Sequence, residues 1–409
     1  MMIDPGAFTP FYDDALCRAL AAEGCEVELV TAPFVYHPWP AAVGYARREA
    51  FAGGAGAHGR ALRVLRRLRR AAAYPLAWRR LVRELERRPP EIVHLQWSLL
   101  PAIERRALRR LRAAGVAWVE TVHNARPHGG EWSFRPAGSA PGREADAWVA
   151  LSAATAATLT AEYPDRAERV RLIPPGIDAP AGFRPGGSGQ PDGCGEPDAD
   201  GRAARARARL GLDPTAPVAL FLGLIRPYKG LDLLLEAFTG VLRGLPEARL
   251  VVAGLPRPSF RPYARQMARL GLGERVRTDL RYLPQDVMDD YLAAADLVVL
   301  PYRGASQSAV LGAALARDRP VVASATGGLP EMLAEVAAEM LVPAGDVVAL
   351  ERAMSRLLGD RAVAAELGRR AGRAARQRFS WARSATATVE LYRELAQAIG
   401  RQAPGRRTS

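Results

Sequence analysis

The sequence predicts an α/β protein built from two doubly wound parallel sheets. Three observations predict it. Short β-type runs alternate with helical patterns over residues 1–180. The alternation then breaks in a segment dense in Gly, Pro and Asp (GFRPGGSGQPDGCGEPDADGRAARARA, 182–208) and restarts beyond it. Alternation of this kind means crossover connections and hence parallel strands, and a composition break of this kind reads as a linker. The expected organisation is an amino-terminal domain over 1–180, a linker over 181–208, a second domain over 209–378 and a terminal helix with tail over 379–409.

In the first half, EVELVTAPF (26–34), EIVHLQW (91–97), AWVETVHN (117–124), AWVALS (147–152) and RVRLIPPGID (169–178) read as strands. They are apolar and rich in branched or aromatic residues, as strands buried on both faces require. Residues 13–23 and 102–114 have helical periodicity. In the second half the strands are VALFLGLI (218–225), RLVVAG (249–254), VRTDLRYL (276–283), DLVVLPY (296–302) and RPVVASA (319–325). Helices are expected near 231–243, 258–270, 285–295, 306–316, 328–336, 347–358 and 362–376, then over 379–400. In open parallel sheets, ligand sites lie at the carboxyl ends of the strands, here expected to face a shared cleft.

Composition narrows the class. At 409 residues with 49% hydrophobic and 24% charged side chains, the chain has material for two cores. No run of about 18 apolar residues reads as a membrane span, and the start MMIDPGAFTP lacks the pattern of a signal peptide. Three cysteines (Cys17, Cys25, Cys194) and five histidines show no metal-ligand spacing, so a reduced cytoplasmic setting and no metal are expected. Net charge is +14, and 56 of the 57 basic residues are arginine; the exception is Lys229. Residues 60–88 hold eleven arginines against two glutamates, with Leu62, Leu65 and Leu68 at helical spacing. This basic helix reads equally as a solvated face or as a surface for an anionic membrane or partner. Nucleic acid is not expected, because no binding motif or interleaved aromatics accompany the charge.

Two stretches carry chemistry. In FLGLIRPYKGLDLLLEAF (221–238) a buried strand runs into Gly223, Arg226, Lys229 and Gly230 before an amphipathic helix. A guanidinium and an ammonium at a strand's carboxyl end are suited to a diphosphate. In LPYRGASQSAVLGAALARDRPVVASATGGLPE (300–331) a strand ends in a small-residue loop. A helix starting near Ser306 would offer backbone N–H groups, with Ser306, Gln307 and Ser308 as side-chain donors. Gly327–Gly328 permits close approach of another backbone segment. Asp13 and Asp14 read as capping residues, and His94 as core.

The chain resembles the GT-B glycosyltransferases of family 4, the retaining nucleotide-sugar group also called glycosyl transferases group 1. The resemblance runs through DPGAFTPFYDDALCRALAAEGCEVELVT, TVHN with His123, PPGID (174–178), GLIRPYKG (223–230), PVVASATGGLPE (320–331) and FSW with Trp381. It implies two Rossmann-like domains facing a cleft, with the last helix crossing back to the first domain. It implies hexosyl transfer from a nucleotide diphosphate sugar to a glycan, lipid-linked or small-molecule hydroxyl, without cofactor or metal. By resemblance, Gly223, Arg226, Lys229, Ser306, Gln307 and Ser308 bind the donor, with Arg226 and Lys229 neutralising the departing diphosphate. His123 positions the sugar, and Gly6, Trp97, His128 and Trp132 lie on the acceptor side; His37 and Trp39 rank lower. The sequence departs from the family at Ala305 and Ala313, where two glutamates are common, and carries ASQSAV in the manner of an S-Q-S type loop. These departures leave a catalytically degenerate nucleotide-binding protein as the alternative, with a nucleotide-sugar 2-epimerase behind it. Only Met1, Met2 and Ile3 precede the D-P-G turn, so a stub of a first strand, a loosely held Gly6 and an upstream natural start are expected.

Overall fold

The structure is a computed structural model that describes residues 1–52, 60–125, 142–177 and 201–402. The chain divides into two compact units, Met1–Gly176 with Trp381–Ser409, and Ile177–Ser380.

Unit 1 is a seven-stranded parallel sheet ordered β3-β2-β1-β4-β5-β6-β7. Its strands are β1 (Met2–Asp4), β2 (Glu28–Thr31), β3 (Ala46–Glu49), β4 (Ile92–Leu95), β5 (Ala117–Val122), β6 (Ala147–Ala150) and β7 (Val170–Leu172). Helices α1 (Pro10–Ala22), α2 (Arg60–Arg87), α3 (Pro101–Ala113) and α4 (Ala153–Glu162) cover it. The three-residue β1 lies in the middle of the sheet, hydrogen-bonded to both β2 and β4. β3 (ARRE) has no apolar alternation to betray it; it is an edge strand, tied down by Arg48 bridging Glu28 of β2 and Glu84 of α2. In the described half of α2, Trp78, Leu81, Val82 and Leu85 are buried, while Arg79, Arg80, Arg83, Arg87 and Arg88 face solvent.

Unit 2 is a six-stranded parallel sheet ordered β10-β9-β8-β11-β12-β13. Its strands are β8 (Val218–Leu222), β9 (Arg249–Ala253), β10 (Val276–Asp279), β11 (Leu297–Leu300), β12 (Val321–Ser324) and β13 (Leu341–Val342). Its helices are α5 (Arg202–Leu210), α6 (Leu231–Gly244), α7 (Arg261–Arg269), α8 (Gln285–Ala294), α9 (Ala309–Leu315), α10 (Leu329–Ala337), α11 (Val347–Gly359) and α12 (Arg361–Arg378). Strands β8, β11 and β12 are buried along their whole length, which explains their uninterrupted apolar sequence. The end of the expected linker is instead α5. It forms because Arg207 is only 5% exposed and donates to Ala294 O (3.1 Å), Pro214 O (2.7 Å) and Asp296 (2.7 Å), anchoring an otherwise polar helix.

The last helix, α13 (Trp381–Gln402), returns to unit 1 and packs along α1. His94 is indeed core: its Nδ1 meets the Tyr392 hydroxyl of α13 at 2.6 Å and its Nε2 meets Thr121 Oγ1 at 2.7 Å.

Candidate functional site

In unit 2 the strand order reverses between β8 and β11, and this switch point organises the donor-side residues. After β8 the chain passes through Gly223 (φ +100°), then a short 3-10 turn over Pro227–Lys229. Arg226 precedes that turn in extended conformation, and its carbonyl accepts the Lys229 N–H at 3.0 Å. Gly230 then takes φ +69°, with the end of β11 so close that an added Cβ would stand 2.0 Å from Pro301 O. Only glycine permits that approach. The turn is fastened to the β11 loop by Arg303, whose N–H donates to Tyr228 O (2.7 Å) and whose guanidinium pairs with Asp232 (2.6 Å).

Lys229 is therefore carried over the Tyr302 ring, with Nζ 5.3 Å from the centroid. A Cβ on Gly223 would lie 3.3 Å from both Lys229 Nζ and Val310 Cγ2, so Gly223, Lys229 and the first turn of α9 converge. Burial lowers the Lys229 pKa; the Tyr228 hydroxyl opposes the shift and the Arg226 charge adds to it. Among the described residues no carboxylate pairs with Lys229. A half-buried ammonium with no carboxylate partner among the described residues is a ready partner for an anion.

Ser306, Gln307 and Ser308 line the loop after β11, but α9 begins at Ala309, not at Ser306. The residues before it cannot turn helical because Ser308 is the N-cap, its Oγ accepting from Leu311 N at 3.2 Å. Gly327 (φ +55°) holds this loop: an added Cβ would stand 1.4 Å from Ala305 O, and Gly328 N donates to the same carbonyl at 3.3 Å. Ala305 is thus buried under the Gly327 turn, and a glutamate there would displace it.

In unit 1 the order reverses between β1 and β4. The loop after β1 is firmly held, contrary to the sequence expectation. The Asp4 carboxylate accepts from Gly6 N (3.0 Å) and Phe8 N (2.8 Å), and so holds the loop that leads into α1. Asp13 and Asp14 are not caps. Asp14 accepts from the Tyr45 hydroxyl (2.7 Å) and pairs with Arg18. Asp13 is buried facing Asp4, and burial followed by the Asp4 charge pushes its pKa well up. Asp4 is raised by burial too.

Trp97 follows β4 and donates its indole N–H to Thr9 Oγ1 at 3.0 Å. It stacks flat on His123, centroids 4.4 Å apart and planes 6° from parallel. Phe8 meets Trp97 edge-on at 5.3 Å, and Tyr12 meets His123 at 5.1 Å. Burial lowers the His123 pKa to about 3, so the imidazole is neutral at ordinary pH. Its Nε2 has no hydrogen-bonding partner among the described residues, and neither does the amide of the fully buried Gln96.

The structure thus stacks Trp97 on His123 in unit 1, with Gly6 under the Phe8 ring that meets Trp97, and brings Gly223, Lys229 and the start of α9 together in unit 2, at the end of the Ser306–Ser308 loop. Arg226 adjoins the second group. His128 and Trp132 lie outside the described residues. Trp39 donates to Ala32 O (3.3 Å) under Arg47, and His37 Nδ1 donates to Pro38 O (3.0 Å). Phe8, Tyr12, Gln96 and Tyr302 were not singled out by sequence. Only Tyr302 carried a signal, as the aromatic residue ending a buried strand beside the small-residue loop.

Two Rossmann-like parallel sheets, joined in one chain whose last helix returns to the first unit, define the GT-B class of α/β protein. Family profiles match both halves: "Glycosyltransferase Family 4" over residues 14–179 and "Glycosyl transferases group 1" over residues 216–360. Together they account for roughly three quarters of the chain, which belongs to this glycosyltransferase family. A D-inositol 3-phosphate glycosyltransferase of Streptomyces avermitilis is 35% identical over 269 residues, covering 63% of this chain and 54% of the relative. The chain spans about half the length of the curated relatives it matches. Among solved structures, sucrose-phosphate synthase of Thermosynechococcus elongatus superposes with a TM-score of 0.68 at 23% identity, covering 97% of this chain and 98% of the other. HepE of Anabaena, in complex with UDP-glucose, gives 0.67 at 18% identity with 98% of each chain covered. These two likenesses establish the fold.

Proposed function

We propose that the protein is a retaining glycosyltransferase that moves a sugar from a nucleoside diphosphate sugar to a hydroxyl acceptor. The observation that carries the reading is Lys229, the one lysine of the chain, half-buried at the unit 2 switch point with no carboxylate partner among the described residues. In the transfer the anomeric C–O bond to the diphosphate breaks and a bond to the acceptor oxygen forms on the same face. The acceptor's proton leaves with the diphosphate. Lys229, with Arg226 and the Ser306–Ser308 loop, stabilises the charge developing on that leaving group. These cations stand where a metal's charge would otherwise be required, so the reading assigns no metal to the reaction. His123, neutral and with Nε2 unpartnered, donates to or accepts from a sugar hydroxyl and is not a general base.

The test is release of nucleoside diphosphate from a panel of UDP-, GDP-, ADP- and dTDP-sugars, preceded by a thermal-shift screen with the same panel. Turnover that disappears in Lys229→Ala supports the reading, and unchanged turnover in that variant ends it. A second reading, nucleotide binding without transfer, is favoured by Ala305 and Ala313 in place of the common glutamates. Nucleotide-sugar stabilisation without any diphosphate release would establish it.

We also propose a cytoplasmic protein that attaches to anionic membrane surfaces through α2. No helix of the described residues is long and apolar enough to cross a membrane. The two glutamates of the basic stretch are engaged by Arg48 and Arg110, leaving exposed arginines on α2 to act in concert. Sedimentation with anionic vesicles at low but not high salt is expected. Equal sedimentation with neutral vesicles refutes the attachment.

A further inference from the structure

At the carboxyl edge of the unit 1 sheet, the loops after β1, β2 and β4 are apolar in a chain that is otherwise crowded with arginine. Residues 1–17, 32–46 and 89–104, which include the loops after β1, β2 and β4, contain no arginine or lysine, although 56 of 409 residues are arginine. The same loops concentrate exposed apolar side chains. Of the eleven exposed large hydrophobic residues among those described, six lie here: Phe8, Phe11, Val35, Tyr36, Val43 and Leu100. Exposed apolar residues scattered singly need no explanation, but a contiguous group does.

Three of the six, Phe8, Phe11 and Tyr36, belong to two aromatic groups. Phe34 meets Phe11 at 6.5 Å, Tyr36 at 5.7 Å and Trp39 at 6.3 Å. Phe8, three residues from Phe11, meets Trp97, which stacks on His123. Helix α1 links the two groups, since Phe11 belongs to the first and Tyr12, the next residue, meets His123 at 5.1 Å. Beside them stand polar atoms that lack partners among the described residues, His123 Nε2 and the Gln96 amide. An apolar wall beside a few polar groups is the make-up of a site for an amphipathic small molecule. A phosphate-bearing or otherwise anionic acceptor would find no cation in these three loops.

Resting on the glycosyl-transfer reading, we propose that the acceptor is uncharged and carries an apolar aglycone. The aglycone lies against Phe8, Phe11, Phe34 and Tyr36, and the hydroxyl end lies toward Gln96 and His123. The acceptor oxygen gains the bond to the anomeric carbon as the sugar–phosphate bond breaks, and its proton goes to the released diphosphate.

The experiment is calorimetric titration of the full chain with phenyl β-D-glucoside, octyl β-D-glucoside below its micellar concentration, glucose and glucose 6-phosphate. Either glycoside should bind at least about tenfold more tightly than glucose and glucose 6-phosphate. Phe8→Ala and Phe34→Ala should each reduce that advantage about threefold or more, with Phe34→Leu restoring most of it. Both aromatic positions are exposed or half-buried loop sites, and melting by circular dichroism checks that the variants fold. Glucose 6-phosphate binding as tightly as the glycosides, or alanine variants that keep the full advantage, overturns the proposal. The donor reading is read separately on the same samples from stabilisation by UDP or GDP and its loss in Lys229→Ala. Glycoside preference without that stabilisation supports the apolar subsite and removes the transfer reading; the converse does the reverse.

Discussion

Replacing Lys229 with methionine should separate the cost of burying its charge from the use of that charge. Without nucleotide, the half-buried ammonium lies over Tyr302 and beside Gly223, with no carboxylate among the described residues to offset its partial loss of water. Its folded pKa is below the unfolded value, so in the window between the two the unfolded chain binds more protons than the folded one. Stability in that window rises with pH, and at neutral pH the charged group is a net burden on the fold. Lys229→Met should therefore raise the melting temperature of the free protein.

With nucleotide the sign reverses. A charge-assisted hydrogen bond to a diphosphate contributes about 1.5–3 kcal/mol, which is about ten- to 150-fold in affinity. At a ligand concentration of 100 times the wild-type Kd, binding stabilises the wild type by about 2.7 kcal/mol. The variant, at the same concentration, is left with about 1.4 kcal/mol or less. The assay is differential scanning fluorimetry with and without the nucleoside diphosphate that shifts the wild type most. Turnover should fall further, by about 10²–10³, if the ammonium meets charge that grows in the transition state. Lys229→Arg should not rescue it, because Nζ already lies 3.3 Å from the place of a Gly223 Cβ, and a guanidinium is bulkier. Equal nucleotide stabilisation in wild type and Lys229→Met would refute the diphosphate assignment.

His123→Ala should lower transfer while leaving the nucleotide-induced shift unchanged; loss of that shift would move the residue out of a sugar-positioning role. Activity should show no inflection near the ordinary histidine pKa, since His123 stays neutral down to about 3. Gly254→Ala places a Cβ 1.9 Å from Gly223 O at φ +144°, so it should cost about 3 kcal/mol or more in urea unfolding and weaken nucleotide binding together. Burial raises the Glu120 pKa to about 7 despite the hydrogen bond from Gly142 N. Between its ordinary value and 7 the folded state binds more protons, so its contribution to stability is lost as pH rises through that window. Glu120→Gln should therefore be more stable than wild type at pH 8 and no more stable at pH 4.5, as denaturant midpoints will show.

The central strands were legible because burial on both faces of a parallel sheet writes itself as an apolar run; VALFL, LVVL and VVAS are such runs. Segments whose structure depends on a distant partner were not. ARRE is a strand because Glu28 and Glu84 neutralise Arg48, and RAARARARL is a helix because Arg207 reaches acceptors from residues 214 to 296. The same limit divides the candidate site. Gly223, Lys229 and Gly230 are close in sequence, so their convergence follows from one turn. The Trp97–His123 stack needs β4 and β5 to be neighbours, and the Asp4–Asp13 pair needs a helix to fold back over its own loop. Neither neighbour relation is written in local spacing.

The distribution of cations then bears on chemistry in a way that net charge does not. Arginine is placed throughout this fold where a planar fork meets several acceptors, as Arg207 does with backbone carbonyls and Asp296, and as Arg376 does with Asp318 and Leu315 O. Such guanidiniums are structural, and their charge is used within the fold. At the unit 2 switch point the space left by Gly223 and Tyr302 suits a compact ammonium, and there the chain holds its lysine. At the unit 1 switch point the bias toward arginine is suspended altogether in three loops, and aromatic rings stand in its place. On the proposed reading, the unit 2 edge takes the anionic donor and the three arginine-free loops of unit 1 take an uncharged, partly apolar acceptor, the pairing that transfer from a charged donor to a neutral acceptor requires.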